Sequence, residues 1–155
     1  MKIYKLEAKQ ILSVTKSECW KFFSDPNNLQ AITPPDMDFE IKSDLPAKVY
    51  PGQIIIYRIK LFPGIKVSWV TEITQVIDEE FFIDEQRFGP YKFWHHQHRF
   101  HETEDGIEMQ DTVHYAIPFG TIGQMIHSLI IKRKLNYIFQ YRRNILEITF
   151  VRQSE

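Results

Sequence analysis

The chain has 155 residues, 43% of them hydrophobic and 25% charged, which is the length and composition of one ordinary folded domain (1–155) with a core of its own. Its formal charge of −1 gives no global field toward nucleic acid or an anionic membrane, and the single cysteine, Cys19, excludes an internal disulfide and a cysteine-rich zinc site. Aromatic residues reach 14% and are spread along the chain, as suits a large core or the lining of an apolar cavity.

The opening MKIYKLEAKQIL alternates and carries charge throughout. It reads as a strand rather than a signal peptide or membrane span, so a cytoplasmic location is expected. Tyr4, Leu6 and Ala8 share one face; Lys5, Glu7 and Lys9 share the other. Thr15 followed by Glu18 is a capping-box pair opening a short helix. Trp20 and Phe23 fall on its inner side, and Cys19 reads as a small buried hydrophobe. DPNN ends that helix, and LQAIT is expected to form a second short helical piece that stops at Pro34 and Pro35.

From residue 38 the texture becomes strand after strand: DFEIKSD, then IIIYRIKLF, IKVSWVTEITQVI and EFFIDEQRF, punctuated by Pro51-Gly52, Pro63-Gly64 and Gly89-Pro90. The next strand, KFWHHQHRFHE, turns at Glu104-Asp105-Gly106 into IEMQDTVHYAIP, with Asp105-Gly106 favouring a type I′ loop. After Pro118 come residues of helical character to the end of the pattern. Successive antiparallel strands leave one sheet face free, and a long amphipathic helix is the element left to cover it.

This order, together with CWKFFSDPNNLQAITP, GPYKFWHHQHRF and DTVHYAIPFGTIGQ, resembles the SRPBCC superfamily, the START-like or birch-pollen-allergen-like helix-grip proteins. Within it the chain is most similar to bacterial ligand-binding or polyketide cyclase/dehydrase-like members. The resemblance implies an α+β helix-grip fold: a curved antiparallel sheet of about seven strands around a long C-terminal helix, two short helices after the first strand, and an internal cavity.

Four of the six histidines, His95, His96, His98 and His101, lie in one strand. Alternation puts Trp94, His96, His98 and Phe100 on one face, and the more polar Phe93, His95, Gln97, Arg99 and His101 on the other. A turn centred on Asp105-Gly106 pairs Glu104 with Ile107, which sets His98 opposite Val113, His96 opposite Tyr115 and Phe100 opposite Asp111. The facing strand then contributes Met109, Asp111, Val113, Tyr115 and Ile117 to the inner side. A slip of one residue would bury Glu108, Gln110 and His114 instead.

His96 and His98 are open to four readings: satisfied polar groups in an apolar wall, groups that orient a ligand, a general acid or base, or two ligands of a metal. The last needs a third donor, and Asp111 is the one that the pattern places nearby. No metal or cofactor is expected. A buried Asp111 calls for a cationic partner, and Arg142 sits at the centre of the helical stripe Ile131, Leu135, Ile138, Arg142, Leu146 and Thr149. Its head either snorkels to the helix edge or forms an ion pair or anion anchor beneath the cavity. Ile122, Met125, Ile126 and Leu129 fall on the opposite side of that wheel, so the helix kinks near Ser128, or residues 119–130 form a lid or a homodimer patch. The run Lys132-Arg133-Lys134 reads as a solvated surface.

The leading expectation is a module that binds a small hydrophobic molecule, a lipid, polyketide or aromatic compound, at Trp94, His96, His98, Phe100, Met109, Asp111, Val113, Tyr115 and Arg142. The alternatives are a cyclase or dehydratase with His96, His98 and Asp111 as acid and base, and a partner-binding regulator whose cavity is incidental. No Ser-His-Asp arrangement, phosphate loop or nucleotide fingerprint is present in the sequence.

Overall fold

The computed structural model describes residues 1–126 and 130–151. Its elements are β1 (Tyr4–Leu12), α1 (Lys16–Ser24), β2 (Glu40–Ile41), β3 (Ile54–Phe62), β4 (Ile65–Ile77), β5 (Phe81–Phe88), β6 (Phe93–Thr103), β7 (Gly106–Ala116), α2 (Gly120–Ile126) and α3 (Lys132–Val151). The strands form one antiparallel sheet in the order β1-β7-β6-β5-β4-β3-β2, so the first strand closes against the last. The α+β arrangement expected from the sequence is present, with α3 lying over the inner face.

The capping box forms as read: the Thr15 side chain accepts from the Glu18 backbone N–H, and the Glu18 carboxylate accepts from the Thr15 backbone N–H. Cys19, Trp20 and Phe23 are buried beneath α1. LQAIT is not a helix. Single 3₁₀ turns at Pro26–Leu29 and Pro35–Met37 flank it instead. The physical reason is local: Pro26 supplies the φ of a first helical position, and the Asp25 carboxylate caps the turn by accepting from the Asn27 N–H. DPNN therefore begins a turn as well as ending α1. DFEIKSD yields only the two-residue edge strand β2.

The β6–β7 register differs from the expected one by two residues. Thr103 pairs with Gly106, which sets His98 opposite Asp111, His96 opposite Val113, Trp94 opposite Tyr115 and Phe100 opposite Met109. The loop is Glu104-Asp105, and neither residue takes a positive φ, so it is not type I′. Gly106 takes φ +127 at the start of β7, where a Cβ would run into the Leu12 carbonyl of β1. Because the shift is even, every side chain keeps its face.

The inner face carries two apolar clusters. One gathers Trp20, Phe23, Phe82, Phe100, Met109 and Leu146; the other gathers Met37, Trp69, Trp94, Val113, Tyr115 and Leu135. α2 is described to Ile126 and α3 from Lys132, and Ser128, where a kink was expected, lies outside the described residues. Phe119 and Met125 are exposed.

Candidate functional site

Between the two apolar clusters runs a belt of charged side chains. On β6 it interrupts the row from Trp94 to Phe100 with His96 and His98; on β7 it places Asp111 between Met109 and Val113. On β5 it follows Phe82 with Asp84, and on α3 it sets Arg142 between Leu135 and Leu146. Strand alternation puts His96, His98, Asp111 and Asp84 inward, and antiparallel pairing aligns Asp84 with His96 and His98 with Asp111.

The two imidazoles lie with ring centroids 3.8 Å apart, and Phe82 stacks on His98 at 4.1 Å. His96 Nε2 is 2.9 Å from Asp111 Oδ1, and its Nδ1 is 3.3 Å from Asp84 Oδ2. His98 Nε2 is 2.9 Å from Asp84 Oδ2. Its Nδ1 comes within 2.8 Å of Asp111 Oδ1 but off the line of a hydrogen bond, so that buried nitrogen has no bonded partner. Arg142 Nη1 stands 3.5 Å from Asp111 Oδ2, and its guanidinium lies over the Phe139 ring. The head is buried in an ion pair and does not snorkel to the helix edge.

Asp111 is 0% exposed, and its burial acts to raise its pKa. Hydrogen bonding from His96 and the adjacent His98 and Arg142 overcome this and hold the carboxyl well below the usual range. Burial likewise acts to raise Asp84, but the charge on His96 and the bonds from both histidines hold it down. For His96 burial favours the neutral ring. The Asp84 charge and the bonds to Asp111 and Asp84 outweigh that and lift it to about 9.

A cavity of about 170 Å³ opens between this belt, α3 and the segment from Phe22 to Phe39. Of the residues expected from the sequence, Trp94, His96, His98 and Arg142 line it. Asp111 lies behind the two histidines, away from the cavity. Phe100 and Met109 pack into the first apolar cluster, and Val113 and Tyr115 into the second, with Tyr115 stacked on Tyr4 at 5.6 Å.

Polar wall residues that escape the sequence reading include Asp84, Tyr57 and Thr71. Tyr57 Oη lies 3.2 Å from Thr71 Oγ1, and burial pushes the phenol pKa up, so the hydroxyl stays protonated. Phe82 and Asp84 do alternate inward, which is a signal, but the loop from Phe88 to Phe93 is closed by the Gln86 side chain bonding the Tyr91 backbone in both directions. No two-residue turn fixes the β5–β6 register, so the sequence does not show Asp84 arriving beside His96. Near the start of α3, Lys134 Nζ and Tyr137 Oη bond Asp36 at 3.2 and 2.9 Å and tie the helix to the Pro35–Met37 turn.

Solved structures share this architecture. A protein of Thermus thermophilus is 15% identical, with 98% of this chain and 100% of that one aligned at a TM-score of 0.72. The Bet v 1-like allergen Ara h 8.0201 is 13% identical over 94% of this chain and 98% of its own, at a TM-score of 0.64. The di-domain ARO/CYC StfQ from the steffimycin biosynthetic pathway is 8% identical; it aligns with 98% of this chain over 52% of its own length, at a TM-score of 0.73. No family model and no curated protein matches the chain. At such identities the likeness establishes the fold alone, which is the helix-grip fold.

Proposed function

We propose that this chain binds a small, mostly hydrophobic molecule in the cavity between sheet and α3. The observation that carries the reading is the cavity wall itself. Trp69, Trp94, Ile73 and Ile138 offer apolar area for affinity, while His96, His98, Asp84 and the Tyr57–Thr71 pair offer the few polar groups that orient a ligand. The volume of about 170 Å³ is below the roughly 300–1,000 Å³ common for ligand pockets, which favours one or two rings or a short chain over a full lipid. Phe100, Met109, Val113 and Tyr115 then act by packing behind the wall, and Asp111 by holding the histidines.

Native mass spectrometry of the purified protein tests this. A retained organic molecule, lost or weakened in His98→Ala, is the expected result. A protein that carries no adduct and takes up no small aromatic compound in a calorimetric screen overturns it.

The second reading is an enzyme of the cyclase or dehydratase kind. One observation favours it: two imidazoles in contact with carboxylates face the cavity, as a general acid–base pair requires. Turnover of an enolisable polyketide-like substrate, reduced by orders of magnitude in His98→Ala while binding persists, distinguishes catalysis from carriage.

A further inference from the structure

The His96–His98 pair is held between two carboxylates, one on each side. Behind it, Asp111 Oδ1 lies 2.9 Å from His96 Nε2 and 2.8 Å from His98 Nδ1. On the cavity side, Asp84 Oδ2 lies 3.3 Å from His96 Nδ1 and 2.9 Å from His98 Nε2. Four ring nitrogens lie within 3.3 Å of these carboxylate oxygens, and a neutral imidazole carries one N–H for its two nitrogens. When both rings direct that N–H toward Asp111, two bare nitrogens and Asp84 Oδ2 converge on one point at the cavity wall. Lone pairs then face lone pairs, and the gap calls for a cation. Two carboxylates largely withdrawn from water are met by one guanidinium, Arg142, and by the positive charge that His96 carries when doubly protonated, a charge that a bound ion would take over.

The geometry points to a binding site for a divalent first-row transition-metal ion, with His96 Nδ1, His98 Nε2 and Asp84 Oδ2 as ligands. Bonds of about 2.0–2.2 Å at tetrahedral or octahedral angles put neighbouring donor atoms about 2.9–3.4 Å apart. The two carboxylate–imidazole separations of 2.9 and 3.3 Å meet that spacing. The donor atoms of the three residues lie within 4.8 Å of one another. Two imidazoles and one carboxylate on one side of an ion, with the other side open, is a donor set that suits iron(II) and zinc(II).

Asp111 then takes the supporting role found behind metal-bound histidines, accepting the outer N–H of His96 and lying 2.8 Å from the outer nitrogen of His98, and Arg142 fixes Asp111 in turn. Phe82 stacks on His98 and Trp94 meets His96 edge-on, so apolar rings flank the site. The open positions face the cavity, where water or an oxygen of a bound molecule completes the coordination. Asp84, from the strand on the far side of β6, is the third ligand that the H-x-H pair lacks in the sequence.

The experiment uses the full chain, stripped with a chelator and dialysed against zinc(II) or cobalt(II), with metal content read by elemental analysis. One ion per chain is expected, with cobalt giving visible absorption. His95 and His114 form a cross-strand pair on the outer face that could hold zinc adventitiously. The double variant His95→Ala/His114→Ala therefore keeps the ion, while Asp84→Ala and His98→Ala lose it. Asp111→Asn weakens affinity about 10–100-fold.

No retained ion, or an ion lost with the outer pair and kept in Asp84→Ala, overturns the proposal. If the inner variants fail to fold, zinc titration of the wild-type protein decides it by NMR. Shifts in the His96 and His98 ring signals support the site, and shifts confined to outer histidines overturn it. The outcome is separate from that of the ligand screen, since a chain can hold zinc without an organic molecule or the reverse.

Discussion

Asp111 shows what one residue can demand of a fold. A carboxylate with no contact with water survives only when its neighbours replace the lost hydration, and here two imidazoles and a guanidinium do so. Asp111→Ala leaves Arg142 buried without its carboxylate, and a loss of about 3–5 kcal/mol is expected in urea unfolding. A loss within the scatter of surface substitutions would show that the belt does not depend on this residue. Cys19 makes a quieter prediction: burial pushes its thiol up to about 12, so it stays protonated at mildly alkaline pH. A thiol reagent should react with it only after denaturant is added, and rapid labelling of the native protein would contradict the packing beneath α1.

The inward direction of His96, His98 and Asp111 was legible in the sequence, because a strand's period of two is set by its own backbone. Their roles were less legible. Phe100 and Tyr115 have the same alternation as His98, yet they pack against Trp20, Phe23 and Tyr4 rather than line a cavity. Alternation reports a face; it cannot report whether another element already fills the space in front of it.

At the scale of elements, the signals that held were those with a local mechanism. The Thr15–Glu18 box formed because both of its bonds lie within four residues, and Thr15→Ala should cost about 1 kcal/mol, read from the thermal midpoint. The hairpin was misjudged by two residues for an equally local reason. Asp105-Gly106 suggested a primed turn, but the glycine is needed one step later, where β7 passes the Leu12 carbonyl of β1. Gly106→Ala should therefore destabilise the protein by about 1–3 kcal/mol, through strain at a positive φ and the clash with β1. Amide exchange should quicken along β6, β7 and the end of β1; unchanged protection there would remove the argument. LQAIT failed as a helix since Asp25 and Pro26 together nucleate a tight turn just before it.

For the molecule as a whole, the arrangement is two apolar clusters with a charged belt between them and a cavity in front of the belt. A ligand that binds only the folded state stabilises it by mass action, about 2.7 kcal/mol at a hundredfold excess over the dissociation constant. A candidate compound should thus raise the unfolding midpoint in proportion to the logarithm of its concentration. A compound that binds without this shift is not occupying the folded interior.

The sequence by itself determined the succession of strands along the chain, the inner face of each strand and the helix stripe centred on Arg142, because local periodicity and turn chemistry fix them. Only the tertiary structure decided that Asp84 stands beside His96 and that Asp111 sits behind the histidines. It also decided which inward residues meet packed neighbours and which meet open space. Those outcomes depend on how β5 registers against β6 and how α3 lies across the sheet. They are contacts between segments far apart in the chain, which the pattern within any one segment cannot specify.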